Sequence, residues 1–477
     1  MTDVTRTSDP APTTVAAADG DLDPLLRIAA AHAAAYRASL GDRPVRGPQG
    51  VDEVAAALGG ELPSGPTPPA DVVEQLVAAV DGGLMSTAGP RFFGFVIGGS
   101  LPGAVAADLL ATGWDQCAFN GVLSPAAAAA ESVAGGWLKQ LLGLPASASV
   151  GFVTGAQAAN TAGLAAARHQ VLADAGWDVE QRGLVDAPPV RVVASVERHA
   201  TVDRSLRLLG LGNDAVVPVR ADANGAMDMA DLAAVLDGLA DGGAPPIVAL
   251  QAGNVNTGAC DDLRAGSELA HRHGGWAHVD GAFGLWAAAS PSLRHLLDGV
   301  GLADSWGCDG HKWLNVPYDS AFAFCARPAV HSTSMSYSAP YLTGSGAVSG
   351  MADLTAESSR RARGFPVWAA LRELGVDGVA ELVDRCCRLA RRFADGLSAG
   401  GAEVVNDVVL NQVLVGWGDD DRTDRLVEAV QADGTCWLGA TTWRGRRLMR
   451  VSVSNHSTRE VDVDRSVDAV LQAAARV

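Results

Sequence analysis

From about residue 85 to 330, short apolar runs alternate with stretches whose apolar residues recur at helical spacing. No other feature of the chain limits its fold as much. The runs are Val150–Val153, Val190–Val196, Ala215–Val219, Pro246–Leu250, Trp276–Asp280 and Ser320–Cys325. Between them, Gln157–Ala173, Thr201–Leu211 and Asp261–His273 read as helices. Strands joined by helices make βαβ units, so the spacing predicts a large α/β domain around a mostly parallel sheet. A helical stretch near 355–374 leads into a smaller α/β segment with strands at 411–416, 436–441 and 447–453 and a closing helix. The expected organisation is a disordered Thr/Ala/Asp/Pro-rich segment (1–20), a helical arm (21–84), a large domain (85–375) and a small C-terminal α/β domain (376–477). In the arm, Asp23-Pro24 reads as an N-cap and first-turn proline of a helix running to about Leu40.

Bulk properties exclude several function classes. At 477 residues and 48% apolar, the chain can bury a large core. A net charge of −18 with scattered basic residues argues against nucleic acid and against an anionic membrane surface. No stretch reaches the roughly 18 apolar residues of a spanning helix, and no basic-then-apolar leader opens the chain. The seven cysteines form no CxxC and no Cys/His spacing for a metal, so reduced thiols and a cytoplasmic protein without a metal site are expected.

Of the 36 basic residues, only Lys139 and Lys312 are lysines. Arginine stays protonated, whereas a lysine amine can lose its proton and attack a carbonyl to form a Schiff base. Lys312 lies in Asp309-Gly310-His311-Lys312-Trp313, downstream of His278-Val279-Asp280-Gly281-Ala282. An acid at a strand end followed by a Schiff-base lysine is the pair that pyridoxal phosphate (PLP) requires, since the acid keeps the pyridine nitrogen protonated. In open α/β sheets, ligands collect at the carboxyl ends of the strands. There Thr154-Gly155-Ala156-Gln157 passes straight into a helix, a plausible phosphate cradle. His199 follows another strand, as a ring to stack on a cofactor or as a surface histidine.

Taken in order, these motifs resemble the group II PLP-dependent amino-acid decarboxylases, a family that includes the aromatic-L-amino-acid, glutamate and diaminobutyrate enzymes. Pro90-Arg91-Phe92-Phe93-Gly94-Phe95, Ser124-Pro125, Leu208-Leu209-Gly210 and Arg361-Ala362-Arg363-Gly364-Phe365-Pro366 belong to the same resemblance. It implies PLP-dependent transferase fold type I (aspartate-aminotransferase-like) and a homodimer with its active site at the subunit interface. By that likeness Lys312 carries the cofactor, Asp280 meets the ring nitrogen, His199 stacks on the ring and Ala282 lies beneath it. Gly155, Ala156 and Gln157 face the phosphate, with Asp309 or His311 assisting, although Asp309 stands where some relatives have Asn. Tyr341, between Pro340 and a Gly-rich stretch, resembles the family's catalytic-loop tyrosine, with Tyr337 its nearest competitor.

Phe95, Val96, Ile97 and Phe119 match positions that line the side-chain pocket of relatives. All four are apolar, so an aromatic or bulky apolar L-amino acid is expected as substrate, converted to the amine and CO2. Glutamate would require a placed cation. Gly89 and Asn254-Val255-Asn256 depart from the aromatic enzymes close to the ring. The competing readings are another PLP reaction on the same scaffold (decarboxylation-coupled oxidative deamination, an aminotransferase or a lyase) and a PLP-binding protein without catalysis.

Overall fold

A computed structural model describes residues 22–239, 243–337 and 350–477. The expectation of disorder for 1–20 lies outside the described residues. The chain divides into two compact units, Met1–Ser86 and Thr87–Val477.

The first unit holds α1 (Leu22–Ser39), α2 (Val51–Leu58) and α3 (Pro69–Val80). Asp23 does not cap α1 but sits within its first turn, paired with Arg27 at 2.9 Å. The Tyr36 hydroxyl donates to the Met85 carbonyl at 2.9 Å, fastening the segment after α3 to α1.

In the second unit, β1 (Ser149–Val153), β2 (Val192–Ser195), β3 (Val216–Val219), β4 (Ile247–Gln251), β5 (Trp276–Asp280), β6 (Ser305–Asp309) and β7 (Ala321–Cys325) form one sheet. Its order is β1-β7-β6-β5-β4-β2-β3. The pairs from β6 through β3 are parallel, and β7 alone runs antiparallel to both its neighbours. Helices α4 (Pro102–Trp114), α5 (Pro125–Leu142), α6 (Ala156–Asp174), α7 (Val179–Arg182), α8 (Ala200–Leu208), α9 (Met229–Gly238), α10 (Leu263–Arg272) and α11 (Pro328–Met335) accompany it. Strands β4 to β7 are buried along their whole length. That explains why β4, β5 and β7 read as largely apolar runs without a regular alternation. Strand β6 is absent from the sequence expectation. Ser305-Trp306-Gly307-Cys308-Asp309 has no β-branched residue, and its place is set by the strands and helices around it.

A long helix, α12 (Gly364–Ala399), leads to an antiparallel sheet of β8 (Glu403–Val404), β9 (Gln412–Gly416), β10 (Gly439–Trp443) and β11 (Arg446–Ser452), with α13 (Asp420–Asp433) and α14 (Glu460–Ala474). Gly375 interrupts α12 with φ 61°, a left-handed conformation that glycine adopts without steric cost. Before the break, Trp368 stacks on Trp137 of α5; after it, Arg392 pairs with Asp464 of α14. One apolar cluster reaches both sheets, from Phe152, Trp306 and Phe322 to Leu382, Val415 and Val470. Lys139 donates to the Ala146 and Ala148 carbonyls at 2.7 and 2.8 Å, securing the turn after α5. Its role is structural, which leaves Lys312 as the lysine available for chemistry.

The most deeply buried ion pair ties α5 to the segment entering α12. Arg360 donates to both Glu131 oxygens at 2.9 Å and to the Phe152 carbonyl at 2.8 Å, with side chains 2% and 6% exposed. Burial pushes the Glu131 carboxyl above its usual range, and Arg360 pulls it back. Removing one partner strands the other's charge, at about 3–5 kcal/mol, whereas an apolar pair of similar volume is tolerated. Thus Glu131→Leu should lower the urea midpoint sharply, and Glu131→Leu with Arg360→Met should recover much of the loss. A double variant no more stable than the single one would deny the pair this role.

Candidate active site at the carboxyl ends of the strands

Strands β5 and β6 run parallel, Asp280 lying opposite Gly307, so Asp280 and Asp309 end neighbouring strands at the same edge. Strand β7 inserts between β6 and β1, and Ala321 lies opposite both Asp309 and Val153. This brings the turn after β1, and the N-terminus of α6, alongside Asp309.

The Ala156 N–H, at the start of α6, donates to Asp309 Oδ1 at 2.6 Å. Lys312 Nζ pairs with Asp309 Oδ2 at 3.0 Å. The Ser320 N–H donates to His311 Nδ1 at 3.1 Å, so the neutral ring carries its proton on Nε2, which lies 3.4 Å from Asp309 Oδ1. Burial holds His311 below the usual imidazole range. Asp309 therefore gathers a helix N-terminus, an imidazole and an ammonium around one carboxylate. Ala282 joins the same framework: its carbonyl accepts the Asp309 N–H, and its N–H donates to Asp280 Oδ1 at 3.3 Å.

Asp280 is differently placed. It is 6% exposed, and among the described residues no cationic side chain pairs with it within 4.0 Å. A buried carboxylate without a counter-charge is costly, and a protonated pyridine nitrogen would supply that charge. His199 caps α8 by accepting the Thr201 N–H on Nδ1 at 3.2 Å, which leaves the ring proton on Nε2. Burial lowers the affinity of His199 for a second proton; Asp280 opposes this, while Lys312 and Arg450 reinforce it. The ring is neutral at pH 7, within the electrostatic reach of Asp280, Asp309, Lys312 and Arg450.

Gln157 turns away from the cradle. Its amide donates to Ser205 Oγ of α8 at 2.8 Å, leaving the backbone to face an anion. Phe95 and Val96 both hold left-handed backbone, φ 54° and 59°, a strain of about 1–3 kcal/mol each that clusters at functional sites. Phe95 is exposed and packs on Trp437 with centroids 5.2 Å apart; Val96 is fully buried in the main core; Ile97 and Phe119 are half-buried. A Cβ on Gly98 would collide with the Lys312 carbonyl, so this segment runs directly against the lysine. Tyr341 lies outside the described residues. The Tyr337 hydroxyl is 2.7 Å from Ser358 Oγ.

Two residues were missed from sequence. Tyr318 stacks on His311 at 4.2 Å, its hydroxyl pushed up to about 12 chiefly by burial. Arg450 of β11 donates to the Val255 carbonyl at 3.3 Å, and among the described residues it pairs with no carboxylate. Burial pushes its pKa down. Its signal was there to read: an arginine within the otherwise apolar run Leu448-Met449-Arg450-Val451.

These groups fit PLP. The start of α6 and His311 offer phosphate donors, Asp280 an unmet demand for positive charge, and Lys312 an amine beside Asp309. The pyridoxal-dependent decarboxylase conserved domain matches residues 54–415. The chain is 29% identical over 419 residues to tryptophan decarboxylase 1 of Oryza sativa subsp. japonica, covering 81% of each. It is 26% identical over 414 residues to 4-hydroxyphenylacetaldehyde synthase of Rhodiola rosea, covering 83% of this chain and 82% of that one. The crystal structure of Oryza sativa TDC with PLP and tryptamine is 25% identical with a TM-score of 0.89, covering 97% of this chain and 99% of that one. The architecture is that of fold type I PLP enzymes. With the family's domain matched over more than half of its length, the chain belongs to the pyridoxal-dependent decarboxylases, and PLP is its cofactor.

Proposed function

We propose that this enzyme removes the α-carboxylate of an L-amino acid with an aromatic or bulky apolar side chain and releases the amine. What carries the reading is the convergence of Lys312, Asp280 and His199 at one sheet edge, with Phe95, Ile97, Phe119 and Trp437 as apolar surface for the side chain. The Oryza relative solved with tryptamine supports the same class. Bound PLP supplies an electron sink for the pair left behind by CO2. Lys312 contributes the amine that holds the cofactor and yields to substrate. Asp280 would hold positive charge on the ring nitrogen, and His199, neutral with its proton on Nε2, would pack against the ring. Tyr341 protonates Cα, completing the amine.

Tyr341→Phe should slow amine release by about a hundredfold, within the usual range for a general acid, and raise aldehyde and peroxide with consumption of oxygen. An unchanged product ratio removes Tyr341 from the chemistry.

Arg450 favours a second reading. Acidic substrates were set aside for want of a placed cation, and Arg450 is one. Under the leading reading, purified holoenzyme releases CO2 faster from L-tryptophan, L-tyrosine or L-phenylalanine than from L-glutamate or cysteine sulfinate. The reverse order, with Arg450→Met raising KM for the acids about tenfold or more, would transfer the assignment to acidic side chains.

A homodimer with its site at the interface suits the exposed apolar residues Leu109, Leu110 and Trp114 of α4 and Trp368 of α12, since a stable monomer rarely leaves such a group uncovered. Trp114→Glu with Trp368→Glu should shift sedimentation from dimer to monomer; no change would place the interface elsewhere. The seven cysteines are free and five are buried, as suits the reducing cytoplasm.

A further inference from the structure

We infer that Asp309 holds, within the chain itself, the place that the cofactor's phosphate takes on binding, so that carboxylate and phosphate compete for one set of donors. Three observations carry this. The Asp309 side chain is only 3% exposed, yet it is saturated: Ala156 N–H at 2.6 Å, Lys312 Nζ at 3.0 Å and His311 Nε2 at 3.4 Å all converge on it. These are the kinds of donor that bind a phosphate: a helix N-terminus, an imidazole N–H and an ammonium. Helix α6 is 19 residues long and its N-cap is Gly155, which has no side chain to satisfy the first turn. The carboxylate of another strand, 153 residues away in sequence, does so. The turn also lies directly against His311 and Asp309. A Cβ built on Gly155 would meet His311 Cε1 at 3.5 Å and Asp309 Oδ1 at 3.9 Å, ordinary contact distances.

A carboxylate in this position has two opposed effects. Without cofactor it neutralises the converging donors and holds the turn, the histidine and the lysine in the arrangement that the cofactor needs. When the phosphate arrives, it meets an anion already hydrogen-bonded to Ala156 and ion-paired with Lys312, with His311 Nε2 3.4 Å away, and one of the two must give up those donors. An amide at the same position would keep an oxygen for the Ala156 N–H and add an N–H for the phosphate, without charge repulsion. The carboxylate thus exchanges cofactor affinity for an ordered empty site.

The test compares wild type with Asp309→Asn, each stripped of PLP from the purified enzyme. Competition requires the two readouts to move in opposite directions. The variant apoprotein should melt at a lower temperature, and its Kd for PLP, from quenching of tryptophan fluorescence, should be about tenfold tighter, equivalent to about 1.4 kcal/mol. Inorganic phosphate alone should raise the melting temperature of the variant more than that of wild type, a readout independent of the pyridine ring and of turnover. Should Asp309→Asn fold poorly, Asp309→Ser removes the charge with less bulk and should show the same pair of shifts. Weaker or unchanged affinity for both PLP and inorganic phosphate would overturn the proposal, making Asp309 a supporting part of the cradle instead of its rival occupant.

Discussion

Two carboxylates, Asp280 and Asp309, end neighbouring strands at one edge of the large sheet, and both are buried. Burying ionised groups side by side is unfavourable unless each finds positive charge or N–H donors. Asp309 finds them inside the chain, from the start of α6, His311 and Lys312. Asp280 finds one backbone N–H and no cation among the described residues. That asymmetry organises the rest: one acid is satisfied and arranges the donors, and the other is left without a cation among the described residues.

The sheet order makes this possible. Since β7 lies between β6 and β1, the end of β1 and the helix that follows reach Asp309. The Gly-rich contacts are part of the same geometry, because Gly98 lets the segment carrying Phe95 run against the Lys312 backbone. From the smaller sheet comes Arg450, which acts electrostatically on His199, and just before β10 lies Trp437, which packs on Phe95. Neutral His199 and His311 add hydrogen-bond donors to this setting without adding charge.

Much of the architecture was legible before any coordinates. Strands β4, β5 and β7 announce themselves as apolar runs, and the turn after β1 is recognisable because small residues precede a helix. Strand β6 was not, since Ser305, Gly307 and Asp309 have little intrinsic preference for a strand and are held there by their neighbours. Asp23 was misread as a cap because helix ends depend on which residue first adopts helical backbone, a matter of a residue or two. Gln157 was expected to face the phosphate, and nothing nearby in sequence indicates that its side-chain amide is engaged by Ser205, 48 residues away.

Sequence by itself determined the chemistry on offer: a rare lysine, an acid at a strand end, a helix opening on small residues and their order along the chain. These are properties of residue type and local spacing, which survive without knowledge of contacts. Tertiary structure decided who partners whom. Asp309 was legible as a candidate beside the phosphate, but only the strand order shows it holding the Ala156 N–H, 153 residues away. Arg450, far from every motif in sequence, enters the site because the smaller sheet delivers it there. Burial and pairing are set by what the fold brings together across long chain separations, and that is where a carboxylate becomes either satisfied or in need of a partner.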